Sequence, residues 1–145
     1  MKTILVALDD SPRAAEVLRT AREMAQKMGA KLHLFRAVTL PAGLPPEAYA
    51  FPPDDLEALL KREAERELEG LAKELPEAIR GRLLVGLGSP WRAICATAQE
   101  IAADLVVVGS HGFGGIDRLL GTTAAKVVNH ADRPVLVVRH PPPRL

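Results

Sequence analysis

Five short and almost uninterrupted apolar runs recur along the chain, and between them apolar residues return every three or four positions. A run without polar alternation is typical of a strand buried on both faces, as in a parallel sheet. A spacing of three or four is typical of a helix with one apolar face. The predicted strands lie at 3–8, 32–38, 82–87, 104–109 and 134–139.

The segments between these strands predict four helices with recognisable ends. Serine and proline favour helix starts and glycine favours a helix stop. The apolar spacing places Met28 and Val128, among others, on inward faces. The helices run from a Ser11 cap and Pro12 to Gly29, from Leu56 to Leu75 before Pro76, from a Ser89 cap and Pro90 to Ile101, and over about 122–130.

The alternation of strands and helices indicates one α/β domain over residues 1–145. We expect a doubly wound, five-stranded parallel sheet with helices on both faces. The proline-rich segment at 40–53 is predicted to be a loop, and residues 140–145 are predicted to be an extended tail.

Composition narrows the range of partners. Nineteen basic and eighteen acidic residues leave a net charge of +1, and aromatic residues make up only 3% of the chain. Neither a basic groove nor a base-stacking surface is indicated, so no nucleic-acid partner is expected. No apolar run approaches the roughly 18 residues of a membrane span. We therefore expect a cytoplasmic protein that does not bind membranes.

A glycine-rich segment, "GSHGFGGIDRLLGTT" at 109–123, leaves the fourth predicted strand. Two standard phosphate-binding motifs do not fit it. A Walker loop would need a lysine after its last glycine, whereas Gly121 is followed by Thr122. A dinucleotide fingerprint would follow the first strand instead of the fourth.

The residues of this segment are compatible with two interpretations. Glycines with positive φ, Gly109 and Gly112 among them, would let backbone N–H groups converge on an anion, and His111 would add a donor. Thr122 and Thr123 would add hydroxyls and the positive end of a helix dipole. Alternatively, the glycines only make a tight turn and Thr122 only caps the next helix.

An acidic pair, Asp9 and Asp10, follows the first predicted strand and precedes Ser11. Phospho-receiver domains hold magnesium with such a pair, but the ends of the third and fifth strands lack the aspartate and the lysine that those domains need. Asp9 would accept hydrogen bonds from ribose hydroxyls, as acidic residues do in other nucleotide sites. The alternative is that Asp9 and Ser11 together cap the first helix.

Three stretches of the chain resemble the universal stress protein family, and the resemblance covers essentially its whole length. They are "ILVALDDSPRAAEVL" at the start, "GSHGFGGIDRLLGTTAAKVV" after the fourth strand and "ADRPVLVVR" near the end. Nucleotide-binding members of that family carry the pattern G-x2-G-x9-G-[ST]. Gly109, Gly112 and the pair Gly121 and Thr122 match it, but eight residues instead of nine separate Gly112 from Gly121.

The resemblance implies a Rossmann-like sheet of order 3-2-1-4-5 and an adenine nucleotide lying across strands 1 and 4. The nucleotide would be ATP, ADP or AMP, with a magnesium ion on its phosphates that has no assigned protein ligand. The implied site residues are Ala7 and Asp9 beside the adenosine, with Asp9 near the ribose, Ala37 near the adenine, and Val108, Gly109, His111, Gly112, Gly121, Thr122 and Thr123 around the ribose and phosphates.

The resemblance also implies a regulatory or protective role in the stress response, with at most slow ATP hydrolysis, and a homodimer formed through the last strand, Pro134 to Val138. One alternative is an interaction protein of the same fold with an empty nucleotide site, which the shortened glycine spacing favours. A flavin-binding electron carrier is disfavoured because aromatic residues are scarce and Trp91 is assigned to the inner face of a helix.

Overall fold

The computed structural model describes residues 1–40, 53–110 and 120–139. The predicted tail at 140–145 and most of the predicted loop at 40–53 lie outside the described residues. The elements are β1 (Thr3–Ala7), α1 (Ala14–Met28), β2 (Lys31–Val38), α2 (Pro53–Ala72), a 3-10 turn (Glu77–Ile79), β3 (Arg80–Leu87), α3 (Pro90–Glu100), β4 (Leu105–Gly109), α4 (Thr122–His130) and β5 (Val135–Val138).

The strands form one parallel sheet in the order β3-β2-β1-β4-β5, which confirms the predicted fold. β1 lies at the centre, and its residue Ile4 pairs with Leu32 of β2 on one side and Leu105 of β4 on the other. The strand order reverses between β1 and β4. A crevice therefore opens at the carboxyl ends of these strands.

The central strands of the sheet are buried on both faces, to which successive residues of each strand point in turn. Ile4 and Val6 belong to one core cluster with residues of α1 and α2, while Leu5 belongs to a second cluster with residues of α3 and α4. All three side chains are fully buried. This two-sided burial explains why the strands read as unbroken apolar runs.

Two helix ends differ from the sequence prediction. α1 begins at Ala14 instead of Pro12, because residues 9–13 form a hydrogen-bonded turn in which the Ser11 hydroxyl accepts from the Arg13 N–H at 3.3 Å. α2 ends at Ala72, and Leu75 is buried in the turn that follows it. Gly29 ends α1 as predicted, with φ of 64° and its N–H on the Ala25 carbonyl.

Two side chains predicted to face inward are exposed instead. Met28 is 41% exposed and Val128 is 44% exposed. Val127 takes the inner position on α4, and one residue further the helix has rotated by about 100°, so that Val128 points outward. Met28 lies in the last turn of α1, where the chain already leaves through Gly29 for β2. In the described ranges, no helix is long and apolar enough to cross a membrane.

A tight contact between β3 and the second core cluster predicts the effect of one substitution. A Cβ added at Gly86 would lie 2.8 Å from Cζ of Phe35 and 3.0 Å from Cβ of Ala93. We expect Gly86→Ala to lower the free energy of unfolding by about 1–3 kcal/mol through overpacking. Gly70→Ala, on the open face of α2 with nothing within 4 Å, should instead raise it by up to about 1 kcal/mol. Urea denaturation of both variants measures the difference, and equal midpoints would contradict the close packing at Gly86.

The ring of His33 on β2 forms a hydrogen bond with the backbone of β3. Its Nδ1 accepts the backbone N–H of Arg82 at 2.9 Å, next to a shift in the register between the two strands. Burial, and secondarily the charge of Arg82, lower the pKa of His33 below its ordinary value of 6.5. The neutral ring is therefore the form that fits the fold.

This pairing predicts a dependence of stability on pH. The unfolded chain takes up a proton on His33 near pH 6.5, whereas the folded chain does so only at lower pH. The free energy of unfolding should therefore fall as the pH is lowered through about 6.5 towards the depressed folded pKa. His33→Asn keeps an acceptor but cannot titrate, so its unfolding curves should change less between pH 7 and pH 5. A parallel decline in both proteins would exclude His33 as the cause.

Candidate functional site

A cleft of about 600 Å³ lies at the point where the strand order reverses. The carboxyl ends of β1, β2 and β4 form its floor, and residues of α2, α3 and α4 form its walls. This volume lies within the range of small-molecule sites, which is roughly 300–1,000 Å³. Position and size together make this cleft the candidate ligand site.

Six of the ten site residues predicted from the sequence line this one cleft. They come from β1 and the turn after it, from β2, from β4 and from the first turn of α4, which are far apart in the chain. They are Ala7, Asp9, Ala37, Val108, Gly109 and Thr123.

The other four predicted residues are placed differently or not described. Gly121 precedes α4 and donates its N–H to the Ser110 carbonyl at 2.7 Å. Thr122 is exposed, and it is the first residue of α4 instead of its cap. Neither residue is among those that line the cleft. His111 and Gly112 lie outside the described residues.

The two described glycines of the predicted anion-binding segment do not adopt positive φ. Gly109 is a strand residue, and a Cβ there would lie 3.0 Å from Cγ2 of Val17 on α1. Gly121 has an extended conformation, with φ of −61° and ψ of 163°. The expectation of positive φ at Gly109 is therefore wrong, because the glycine there accommodates the close approach of α1.

The start of α4 still presents a favourable environment for an anion. Thr123 lies in the first turn of this helix and lines the cleft. The first N–H groups of a helix have no partner within it, and the helix dipole is positive at this end. A phosphate near Thr123 would therefore be stabilised.

The N-cap of α1 is Arg13, without a side-chain cap hydrogen bond, so Asp9 does not cap this helix and instead borders the cleft. Its Oδ1 accepts the backbone N–H of Ser11 at 2.9 Å, which stabilises the turn before α1. The side chain is exposed and lines the cleft, and Oδ2 has no hydrogen-bond partner within 1–40, 53–110 and 120–139. One carboxylate oxygen thus stabilises the turn, and within the described part of the chain the other is open to a ligand.

Arg36 is a cleft residue that the sequence analysis missed. It lies near the end of β2, donates from Nη2 to the Asp9 carbonyl at 2.8 Å and forms an ion pair with Glu67 of α2. Its side chain is only 15% exposed. The signal in the sequence was a lone arginine within the apolar run "LHLFRAV".

Charge is distributed unevenly around the cleft. Asp9, Asp10, Glu63 and Glu67 bring carboxylates to the side formed by β1, β2 and α2, where Arg36 already pairs with Glu67. The opposite side is the positive end of α4. This arrangement favours hydrogen-bond donors, such as hydroxyl or amino groups, on the first side and a negative group on the second.

The side chains in the described part of the chain do not form a metal site. Among residues 1–40, 53–110 and 120–139, no group of three histidine, cysteine, aspartate or glutamate side chains could hold a metal ion.

Fold and cleft together define a doubly wound α/β protein with a ligand site at the switch point of its sheet. A sequence profile of the Universal stress protein family matches residues 1–139. "Universal stress protein in QAH/OAS sulfhydrylase 3'region" of Thermus aquaticus is 36% identical over 140 residues, covering 95% of this chain and 98% of that protein. Universal stress protein G of Escherichia coli O157:H7 is 32% identical over 141 residues, covering 95% and 99%. The chain belongs to the universal stress protein family.

Solved structures share this fold along nearly the whole chain. Universal stress protein UspA from Lactobacillus plantarum has a TM-score of 0.75 at 27% identity, covering 95% of this chain and 97% of that one. A universal stress protein in complex with cAMP has a TM-score of 0.60 at 27% identity, covering 95% and 96%. The sequence-based identification of the family is confirmed.

Proposed function

We propose that this universal stress protein binds an adenine nucleotide (ATP, ADP or AMP) in the cleft at the carboxyl ends of β1 and β4 and acts as a regulatory or protective factor in the stress response. The observation that carries the proposal is the convergence of six predicted residues, among them Asp9, Ala37 and Thr123, from distant segments into one cleft. The related protein in complex with cAMP, at 27% identity, supports an adenine nucleotide as the ligand class.

The distribution of charge orients the proposed ligand. The adenine would lie against the apolar surface near Ala37, and the ribose hydroxyls would donate to the free oxygen of Asp9. The phosphates would then extend towards Thr123 and the positive end of α4. A magnesium ion would be held by the phosphates, with no protein ligand assigned.

We propose binding as the function and expect any hydrolysis of ATP to be slow. Efficient hydrolysis needs a side chain that activates water, and we assign no such role to any residue of this cleft.

A second candidate is an interaction protein of the same fold with an empty cleft. One observation favours it, since the N–H of Gly121 is already bonded to the Ser110 carbonyl at 2.7 Å. That amide is therefore not free for a phosphate. The glycine spacing, shorter by one residue than the family pattern, points in the same direction.

Nucleotide binding is tested by releasing small molecules from denatured, freshly purified protein and then titrating the protein with ATP and magnesium. We expect Thr123→Glu to weaken nucleotide binding at least about tenfold, because a carboxylate at the start of α4 repels phosphate. The variant should stay folded, since a negative charge in the first turn stabilises a helix.

Ala15→Glu is the matched control for this substitution. It places the same charge at the equivalent position of α1, the second helical residue after the cap, on an exposed site that does not line the cleft. Its affinity should equal that of the wild type. An empty wild-type protein that also fails to bind added ATP would favour the second candidate.

We also propose a homodimer formed through β5, which is an edge strand of the sheet. The carbonyls of Pro134 and Val138 accept N–H groups of β4 and the residue after it at 3.0 and 2.9 Å. Because strand residues alternate in direction, the N–H groups of Val135 and Val137 point away from β4. Such an apolar edge is suited to pairing with the same strand of a second copy.

The dimer predicts the effect of removing one outward N–H. Val137→Pro should shift the sedimentation coefficient at micromolar concentration from that of a dimer towards that of a monomer. Val137→Thr keeps both the N–H and the β-branched shape, and it should remain dimeric. If Val137→Pro sediments as the wild-type dimer does, β5 is not the interface.

A further inference from the structure

Arg36 is an unusual residue for its place in the fold. It occupies a position of β2 that faces the same side of the sheet as Leu34, which is fully buried in the core beneath α1 and α2. Its side chain is only 15% exposed and lines the cleft. A charged side chain in such a position must be compensated by specific partners.

The partners of Arg36 connect three parts of the cleft. Nη2 donates to the Asp9 carbonyl at 2.8 Å, and Nη1 pairs with Glu67 of α2. Because a guanidinium is a rigid planar fork, the contact with Glu67 also determines where Nη2 lies. The peptide of Asp9 is thereby held in a defined position relative to β2 and α2.

The position of Asp9 depends on its contact with Arg36, because Asp9 lies just beyond the last residues of β1 that pair with β2. The last backbone bond near it joins the Leu8 N–H to the Phe35 carbonyl at 2.8 Å. Beyond that bond, within the described residues, Asp9 is held by the Ser11 N–H on its carboxylate and by Arg36 on its carbonyl. The direction of its free oxygen follows from these two contacts.

We propose that Arg36 is a positioning residue that determines the selectivity of the cleft for ribose hydroxyls, by holding Asp9 in the orientation that accepts them. This inference rests on the proposed nucleotide function and assigns to Arg36 a role that it exerts through Asp9. A buried Nε without a hydrogen-bond partner in the described part of the chain supports the role. Such a group is unfavourable for stability, and an apolar residue in its place would avoid that cost.

The test compares the affinity for AMP with that for 2′,3′-dideoxy-AMP, which lacks both ribose hydroxyls, by calorimetric titration. In the wild type we expect AMP to bind at least about tenfold more tightly, as hydrogen bonds to a carboxylate predict. Arg36→Met should bring the ratio of the two affinities below about threefold. Arg36→Lys keeps the charge but not the fork, and it should give an intermediate ratio.

Arg80→Met is the matched control variant. Like Arg36, Arg80 makes two hydrogen bonds, but both go to backbone carbonyls, those of Leu75 at 2.8 Å and Lys73 at 2.9 Å, and Arg80 does not line the cleft. Its loss should lower the melting temperature and leave the ratio at the wild-type value. If Arg36→Met does not fold, the ratio in Arg36→Lys decides.

The outcomes separate this inference from the proposed function. If the wild type prefers AMP and both Arg36 variants keep the full preference, Arg36 has no positioning role, and nucleotide binding stands. Equal wild-type affinity for the two compounds would also overturn the inference, because the ribose hydroxyls would then not be recognised. If the wild type binds neither compound, the proposed function fails and the inference fails with it.

Discussion

The structure depends on the parallel pairing of β1 with both of its neighbours. β1 bonds in parallel to β2 on one side and to β4 on the other, and the helices that connect parallel strands cover both faces of such a sheet. In this chain, α1 and α2 cover one face and α3 and α4 cover the other. With this pairing, the connections that follow β1 and β4 run to opposite faces of the sheet, and the cleft lies between them.

The cleft combines two kinds of local chemistry. On the side of β1, β2 and α2 there are carboxylates, one of which is paired with Arg36, and on the other side there is the start of α4. A ligand with hydroxyl groups at one end and a negative charge at the other matches both sides. An adenine nucleotide, the ligand that we propose, has this form.

Several features of the fold and the site could be predicted because they depend on short segments. The apolar runs identified all five strands, and Gly29 marked the end of α1. The start of α1 could not be predicted from Ser11 and Pro12, since hydrogen bonds within residues 9–13 form a turn that delays the helix until Ala14. Similarly, Gly109 was interpreted through its own backbone freedom, whereas its packing against Val17 of α1 accounts for it.

By itself, the sequence determined the order of the elements, the two-sided burial of the strands and the two strand ends where chemistry is concentrated. These follow from the periodicity of burial and from local backbone preferences, which act over a few residues. Only the tertiary structure decided that Arg36 holds Asp9 and pairs with Glu67, and that Gly121 bonds to Ser110. The first two contacts join residues far apart in the chain, and the last joins a residue after β4 to the residue before α4. The two contacts of Arg36 depend on strand order and register, which the spacing of residues along the chain does not specify.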